Sequence, residues 1–420
     1  MFFHLSTLGC KVNQYETEFV RTALLSLGYT EINEGGTADL VIVNTCTITV
    51  ESEAKSRKII RKLIRENPGA QVVVMGCAAT HKPDAILEID GVSKVITDKE
   101  HVPDFLRQLG LTTLPMGIAS FGDRHRAFIK VQDGCKAKCS YCIIPKVRPV
   151  LRSRPIADIL PEIQTLARNG YREIVLTGIH LGHYGADYAG GRSRLTKLVR
   201  HAVDLPGEFR LRLSSLEATE VTDDLLDLMQ RYPDRLCPHL HIPMQSGSTE
   251  ILRLMRRRLK RKPFIRRCEE ILSKFDRLAL TTDVIVGFPS EYLKQFDDTW
   301  KAIERLRFSK VHIFRFSPRE GTEAATLPNQ VHPLEMKRRA WVLASLADNI
   351  RTEFAASLVG STATVLLETP TSGTCGRYLE VRLDQPAQPG TLVSVRIERS
   401  EGDACFGSTA LSALKLRMFW

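Results

Sequence analysis

Two rhythms of apolar positions alternate through the first hundred residues. The runs "FFHLSTLGC", "DLVIVNTC" and "QVVVMGC" carry short apolar stretches, as strands of a parallel sheet covered on both faces do. Between them, "YETEFVRTALLSLG" and "ESEAKSRKIIRKLIREN" bring apolar residues back at intervals of three and four, the period of a helix. This βαβαβ order predicts an N-terminal parallel α/β sheet domain over residues 1–112. Each of its three strands ends in a cysteine: Cys10, Cys46 and Cys77. In an open α/β sheet the carboxyl ends of the strands share one edge, where ligands bind, so these distant thiols are expected to meet there. Three buried structural cysteines are the alternative, and the identical placement at three strand ends argues against it.

Residues 112 to 125, "TTLPMGIASFGDRH", have no period and read as a linker. Six strand candidates follow, "AFIKVQ", "EIVLTG", "FRLRLS", "HLHIP", "LTTDVIVG" and "KVHIFRF", most of them separated by helix-length segments. They predict a partial (β/α)6 barrel over residues 121–350, with chemistry in the loops after its strands. The helical stretch "PLEMKRRAWVLASLADNIRTEFAASLVG" then leads to short β runs, "TATVLLET", "YLEVRL", "TLVSVRIERS" and "STALSALKL", separated by Gly/Pro turns. A small antiparallel β-barrel is expected over residues 357–420.

Composition narrows the class. A chain of 420 residues, 43% of them hydrophobic, is long enough for two or three domains with their own cores. The longest apolar stretches are strand-sized, so no membrane span is expected. "LSTLGC" imitates a lipoprotein cleavage site, but only nine residues precede Cys10 and none is Lys or Arg, so a signal peptide is set aside. Ten cysteines without an export signal then imply a reducing, cytoplasmic compartment, where thiols bind metals or react more often than they pair. Lys and Arg outnumber Asp and Glu by 59 to 48, which suits an anionic partner such as nucleic acid.

The loop after the first barrel strand, "GCKAKCSYC", holds Cys135, Cys139 and Cys142. A structural zinc needs four ligands, and this loop supplies neither a histidine nor a fourth cysteine. A cubane iron-sulfur cluster has four irons, so three thiolates leave one iron free. A Cys-x3-Cys-x2-Cys loop in this position resembles that of the radical S-adenosylmethionine (SAM) superfamily, and the resemblance implies that SAM chelates the free iron. It also implies that reductive cleavage of SAM gives a 5'-deoxyadenosyl radical able to take hydrogen from an unactivated C–H bond. By the same resemblance Tyr141 lies beside the adenine, Thr177 and Gly178 at the methionyl amino group, Ser215 and Glu217 near the ribose, and Gly287 where backbone approaches the adenine. Each of these also serves as an ordinary turn or strand-end residue.

Two three-thiol sets with a small terminal β-barrel resemble the methylthiotransferase family. "VQDGCKAKCSYCIIPKVR", "HIPMQSGSTEILRLMRR", "DVIVGFP" and "LLETPTSGTCGRYLEVRL", the last similar to the RNA-binding TRAM domain, extend the likeness over nearly the whole chain. The resemblance implies two 4Fe-4S clusters, the second on Cys10, Cys46 and Cys77, with SAM used twice per turnover. It implies a tRNA substrate and a reductant protein of flavodoxin or ferredoxin type. "TLGCKVNQYETE" is similar to the branch acting on C2 of N6-threonylcarbamoyladenosine beside the anticodon. The branches acting on isopentenyladenosine in tRNA or on a ribosomal-protein aspartate remain alternatives, as does a non-catalytic iron-sulfur protein that senses redox state and binds RNA. Pro149 and Ser290 stand where the family usually has glycine.

Basic residues offer candidate RNA contacts: the run Arg256 to Lys262; Lys55, Lys58, Lys62 and Arg65 on one helix face; and Arg377, Arg382, Arg396 and Arg399 in the last domain. Cys237, Cys268, Cys375 and Cys405 show no ligand spacing and read as ordinary thiols. His180, His239 and His241 fall near strand ends and are left off the ligand set.

Overall fold

Strands β1 (Phe2–Thr7), β2 (Thr30–Glu31), β3 (Leu40–Thr45), β4 (Gln71–Gly76) and β5 (Val92–Val95) pair in parallel in the order β2-β1-β3-β4-β5 in the computed structural model, which describes residues 1–32, 36–122 and 124–409. Every residue of β3 is buried, because helices cover both faces of the sheet. Edge strands β2 and β5, two and four residues long, are too short and too exposed to show a period in the sequence. The helix Val50–Glu66 starts four residues after Cys46, fixed by a capping box in which the Thr49 hydroxyl accepts from Ser52 N–H at 3.1 Å and the Ser52 hydroxyl accepts from Thr49 N–H at 3.0 Å.

Segment 112–125, expected as a linker, is tied to the barrel. Ile118 and Phe121 are buried in its core, Ile118 N–H donates to Glu162 at 2.7 Å, and Phe121 N–H donates to the Tyr171 hydroxyl at 2.5 Å. Isolated apolar anchors have no period, which is why the sequence hides them.

The barrel comprises β6 (Arg126–Asp133), the short antiparallel β7 (Arg152–Ser153), β8 (Glu173–Gly178), β9 (Arg210–Leu213), β10 (His239–His241), β11 (Ala279–Val286) and β12 (Lys310–Arg315). They form sheets β7-β6-β8-β9 and β10-β11-β12. Leu211 joins the two, donating to Arg235 C=O at 2.7 Å and accepting from Cys237 N–H at 2.9 Å. The six βα strands run parallel, and the wall stays open between β6 and β12. The helix Lys11–Ser26 of the N-terminal domain packs along β6 at this opening.

Strands β13 (Thr362–Thr369), β14 (Ser372–Cys375), β15 (Glu380–Leu383), β16 (Leu392–Glu401) and β17 (Ala404–Thr409) close into a barrel in the order β13-β14-β15-β17-β16. The expected all-antiparallel pattern needs correction: β15 and β17 are parallel. A closed sheet of five strands cannot alternate direction all the way round, so one neighbouring pair has to run the same way. The segment "STALSALKL" falls mostly beyond residue 409, outside the described residues, and the last described strand begins earlier, at Ala404. The helix Pro333–Ser357 joins the two barrels, with Leu343 and Ile350 in one core and Ala355 in the other.

The second barrel docks on the amino-terminal ends of the first barrel's strands. Glu173, fully buried, pairs with Arg126 at 2.6 Å, Arg210 at 2.6 Å and Arg212 at 2.8 Å. Arg210 also donates to Thr364 and Thr374 carbonyls, and Arg212 to those of Gly376 and Cys375. Burial by itself would raise the Glu173 carboxyl, but the three guanidiniums outweigh it and hold it well below the usual range. Glu173→Gln removes the charge from among three buried cations and should destabilise the protein by roughly 3–5 kcal/mol. The checks are a lowered urea midpoint and faster proteolytic release of the C-terminal barrel; unchanged values of both would show that the pairs contribute nothing to docking.

Candidate functional site

The six cysteines gather where the N-terminal sheet meets the barrel. Cys10, Cys46 and Cys77 stand just beyond β1, β3 and β4. Gly9 has φ 104° and Gly76 has φ 98°, turns that L side chains rarely adopt. A Cβ on Gly9 would lie 3.2 Å from Cys46 Sγ, so glycine lets the first and second thiol loops touch. Cys77 packs against Ile143 and Val147, which follow Cys142, and this contact brings the two trios to one interface. Gly134, with φ 77°, precedes Cys135, and a Cβ there would come within 1.8 Å of Val150 C=O.

Arg148 holds the interface together. Its N–H groups donate to Glu16 at 2.8 and 2.9 Å, to Asp133 at 2.7 Å and to Asn13 Oδ1 at 2.8 Å, and its carbonyl accepts from Cys135 N–H at 3.0 Å. Asn13 in turn donates to the carbonyls of Leu8 at 2.9 Å and Thr45 at 3.0 Å, the loops that carry Cys10 and Cys46. Burial would raise Glu16, but Arg148 and Lys130 hold it down to about 2. Sequence reasoning missed Asn13, Glu16 and Asp133, since a polar residue near a cysteine carries no signal until its partner is known.

A second bridge joins the loop after Cys46 to the loop after β12. Arg319 donates to Thr47 Oγ1 at 2.7 Å and pairs with buried Glu53, which also accepts from Thr47 at 2.9 Å.

The donors around the thiols suit thiolates. Ala137 N–H lies 3.4 Å from Cys135 Sγ, Arg257 3.8 Å from Cys139 Sγ, and Lys99 Nζ 3.8 Å from Cys77 Sγ. Burial lifts the Cys142 thiol to about 12, so a cluster held there would displace its proton.

The other expected residues are placed as follows. The Tyr141 ring meets Phe288 edge-on at 6.4 Å. Thr177 is buried at the end of β8, and a Cβ on Gly178 would lie 2.8 Å from Gln132 Oε1. Gln132 braces the cysteine loop by donating to Asp133 and Gly134 carbonyls and accepting from His180 N–H at 2.8 Å. Ser215 is exposed after β9. Glu217 pairs with Arg257. At Gly287, φ is 74° and Met336 fills the space of a Cβ, so packing demands glycine there. His180 lies 3.7 Å from Cys135 Sγ and 2.6 Å from Glu220, closer to the cysteine loop than its exclusion from the ligand set anticipates.

Ser290, where the family usually has glycine, has φ 65°, a strain of roughly 1–2 kcal/mol for an L residue. Its N–H donates to Asn329 C=O at 2.9 Å, and Asn329 Nδ2 to its hydroxyl at 3.3 Å. Pro149 lies in the turn that brings Val150 against Gly134.

Three cations of the basic run are paired with carboxylates. Arg256 pairs with Glu323, Arg257 turns inward to Glu217, and Arg261 pairs with Asp298, which leaves Arg258 and Lys262 more available. Arg377 donates inward to Arg277 C=O at 2.7 Å; Arg382, Arg396 and Arg399 are exposed, Arg382 beside Glu380 and Arg399 beside Glu401, with Arg399 3.8 Å from the Phe406 ring. Lys55, Lys58, Lys62 and Arg65 face solvent. Cys237, Cys268, Cys375 and Cys405 are buried core thiols.

The fold and the cysteine loop define a radical SAM protein: residues 129–303 match the Radical SAM superfamily, and residues 2–98 match the family described as "Uncharacterized protein family UPF0004". The chain is 37% identical over 378 residues to a threonylcarbamoyladenosine tRNA methylthiotransferase of Thermotoga maritima, covering 87% of this chain and 86% of that one. It is 38% identical over 371 residues to the protein of that name in Bacillus subtilis, covering 84% and 81%. A tRNA-2-methylthio-N(6)-dimethylallyladenosine synthase of Akkermansia muciniphila is 30% identical over 449 residues, covering 96% and 98%. The chain belongs to the methylthiotransferase family of radical SAM enzymes, whose cofactors are SAM and 4Fe-4S clusters. The solved structure of the radical SAM methyltransferase TsrM from Kitasatospora setae shares the fold, with a TM-score of 0.53 at 16% identity over 75% of this chain and 74% of that one.

Burial would raise Glu53, but hydrogen bonds from Arg319 and Thr47 hold its carboxyl at about 2, below its ordinary 4.5. Because the folded value is depressed, this bridge's contribution is fully present above about pH 4.5 and lost as pH falls towards 2. Glu53→Gln should therefore destabilise the cluster-free protein at pH 7 and flatten the acid limb of its stability curve. An acid limb identical to wild type, followed by tryptophan fluorescence in urea, would assign acid sensitivity elsewhere.

Proposed function

We propose that the protein is a tRNA methylthiotransferase that adds a methylthio group to C2 of N6-threonylcarbamoyladenosine beside the anticodon, working in the cytoplasm. The observation that carries this reading is the meeting of two three-thiol sets at one domain interface, bridged by Arg148. The activity named for the Thermotoga and Bacillus relatives and the "GCKVNQ" segment support the choice of base.

In this reading Cys135, Cys139 and Cys142 hold one 4Fe-4S cluster and Cys10, Cys46 and Cys77 the other. The first cluster with SAM supplies the radical that activates C–H, and the second supplies sulfur. The residues of the chain do the positioning. Arg148 and Asn13 fix the distance between the thiol loops, while Gln132 stiffens the loop of Cys135. Tyr141, Thr177, Gly178, Ser215 and Gly287 contact SAM. Glu217, held by Arg257, presents its carboxylate to the ribose. Arg382, Arg399 and Phe406 of the C-terminal barrel, a TRAM-like unit in this reading, offer tRNA phosphates and bases a cationic, aromatic surface. A flavodoxin- or ferredoxin-type protein donates the electrons.

Nucleoside mass spectrometry of tRNA from cells with and without the gene tests the substrate: loss of the methylthio form with its precursor accumulating is expected, and an unchanged nucleoside profile would count against the reading. Cys139→Ala should abolish release of 5'-deoxyadenosine by the purified protein; normal release would take this loop out of the mechanism. Cys46→Ala should retain SAM cleavage yet stop methylthio formation, and continued thiolation would show that the strand-end trio holds no sulfur-supplying cluster.

A further inference from the structure

The interior of the barrel is polar where such interiors are ordinarily filled by Val, Ile and Leu. Residues two apart on a strand face the same way. His239 and His241 of β10, Thr281 and Asp283 of β11, and Lys310, His312 and Phe314 of β12 accordingly line a cavity of about 330 Å³. Lys11, the residue after Cys10, reaches the same cavity through the opening between β6 and β12. Tyr378 of the C-terminal barrel closes it at the other end, against His239 at 5.0 Å and Arg212 at 4.2 Å.

The free charges in this cavity decide what it suits. Arg212 shares the single carboxylate of Glu173 with Arg126 and Arg210, so its end of the cavity keeps a positive balance. Burial holds His239 well below its ordinary value and lowers His312, so both are neutral at pH 7. Asp283 lies 3.3 Å from His241 Nε2. Among the described residues, neither Lys11 nor Lys310 has a carboxylate partner within ion-pair distance. Two ammoniums therefore face one carboxylate. His241, Asp283 and His312 approach one another within 4.8 Å, close enough to grip a divalent cation, but the two lysines oppose adding one. An anion is the better occupant.

Phe314 is 47% exposed at the carboxyl-terminal side of the cavity, the side of the cysteine loops, and its ring is open to a base. It stands four residues along β12 from Lys310, about 13 Å at the rise of a strand. We propose that this cavity binds the N6 side chain of the modified adenosine, with Lys11 and Lys310 gripping its carboxylate and Phe314 stacking on the base. The inference rests on the substrate proposed above: a threonylcarbamoyl group ends in a carboxylate, and a dimethylallyl group does not. With a hydrocarbon in the cavity both ammoniums would stay unpaired, so the same lysines would select between the two tRNA substrates.

The test uses cluster-reconstituted full-length protein and anticodon stem-loops bearing threonylcarbamoyladenosine or its carboxamide, with binding followed by calorimetric titration and KM and kcat by nucleoside analysis. Wild type should bind the acid about tenfold or more tightly than the amide. Lys310→Met and Lys11→Met should each bring that ratio towards one by weakening only the acid, with KM for the acid stem-loop rising more than kcat falls. Iron content is measured for Lys11→Met because of its neighbour Cys10; Lys310→Met lies on a barrel strand and tests the lysine pair independently. A ratio unchanged in Lys310→Met, or a ratio near one in wild type that still thiolates the acid stem-loop, would overturn the carboxylate anchor alone. So would a stoichiometric non-iron divalent metal that Asp283→Asn releases. Wild type that thiolates the dimethylallyl stem-loop and not the acid would instead remove the proposed substrate.

Discussion

Arg148 is the constraint on which the rest of this structure depends. Its carbonyl fixes the backbone of Cys135 in the barrel, and its side chain fixes Asn13, which ties down the loops carrying Cys10 and Cys46. One side chain thus sets the spacing of two sets of thiols that lie on different domains. A guanidinium suits this place because its planar fork can satisfy Glu16, Asp133 and Asn13 together, which an ammonium could not do in the same geometry. Burial makes its loss costly: with the arginine gone, Glu16 and Asp133 would be left sharing the single ammonium of Lys130.

The barrel separates its tasks by its two ends. At the amino-terminal ends of the strands, Glu173 and its three arginines seat the C-terminal barrel, and Tyr378 closes the interior. At the carboxyl-terminal ends, Gly134 with its left-handed φ turns the chain sharply from β6 into the loop of Cys135, so its thiols project from a loop held on a rigid scaffold. Between the two lies a polar interior left open by the missing strands between β12 and β6. A closed eight-strand barrel would fill that space with its own side chains; six strands leave room for a modified base.

The chain's periodicity reveals most of this architecture, and the exceptions have physical causes. Short edge strands such as β2 and β5 have too few residues to show a period. The parallel pairing of β15 and β17 follows from an odd strand count, which is a property of closure and leaves no trace in local sequence. The pairing of Arg256, Arg257 and Arg261 with carboxylates was invisible for a related reason: a run of cations looks the same whether it is free in solvent or finds carboxylates far along the chain.

The sequence by itself pointed to the cofactors of the protein, because three thiols in nine residues and three more at strand ends are local motifs whose resemblance to a known family is legible without the fold. It also determined the order of sheet, barrel and second barrel, because hydrophobic period is local. Only the tertiary structure decided that the two trios share an interface, that Asn13 and Arg148 connect them, and that Lys11 and Lys310 enter one cavity from different domains. Those relations join residues far apart along the chain, and folding alone brings them within reach of one another.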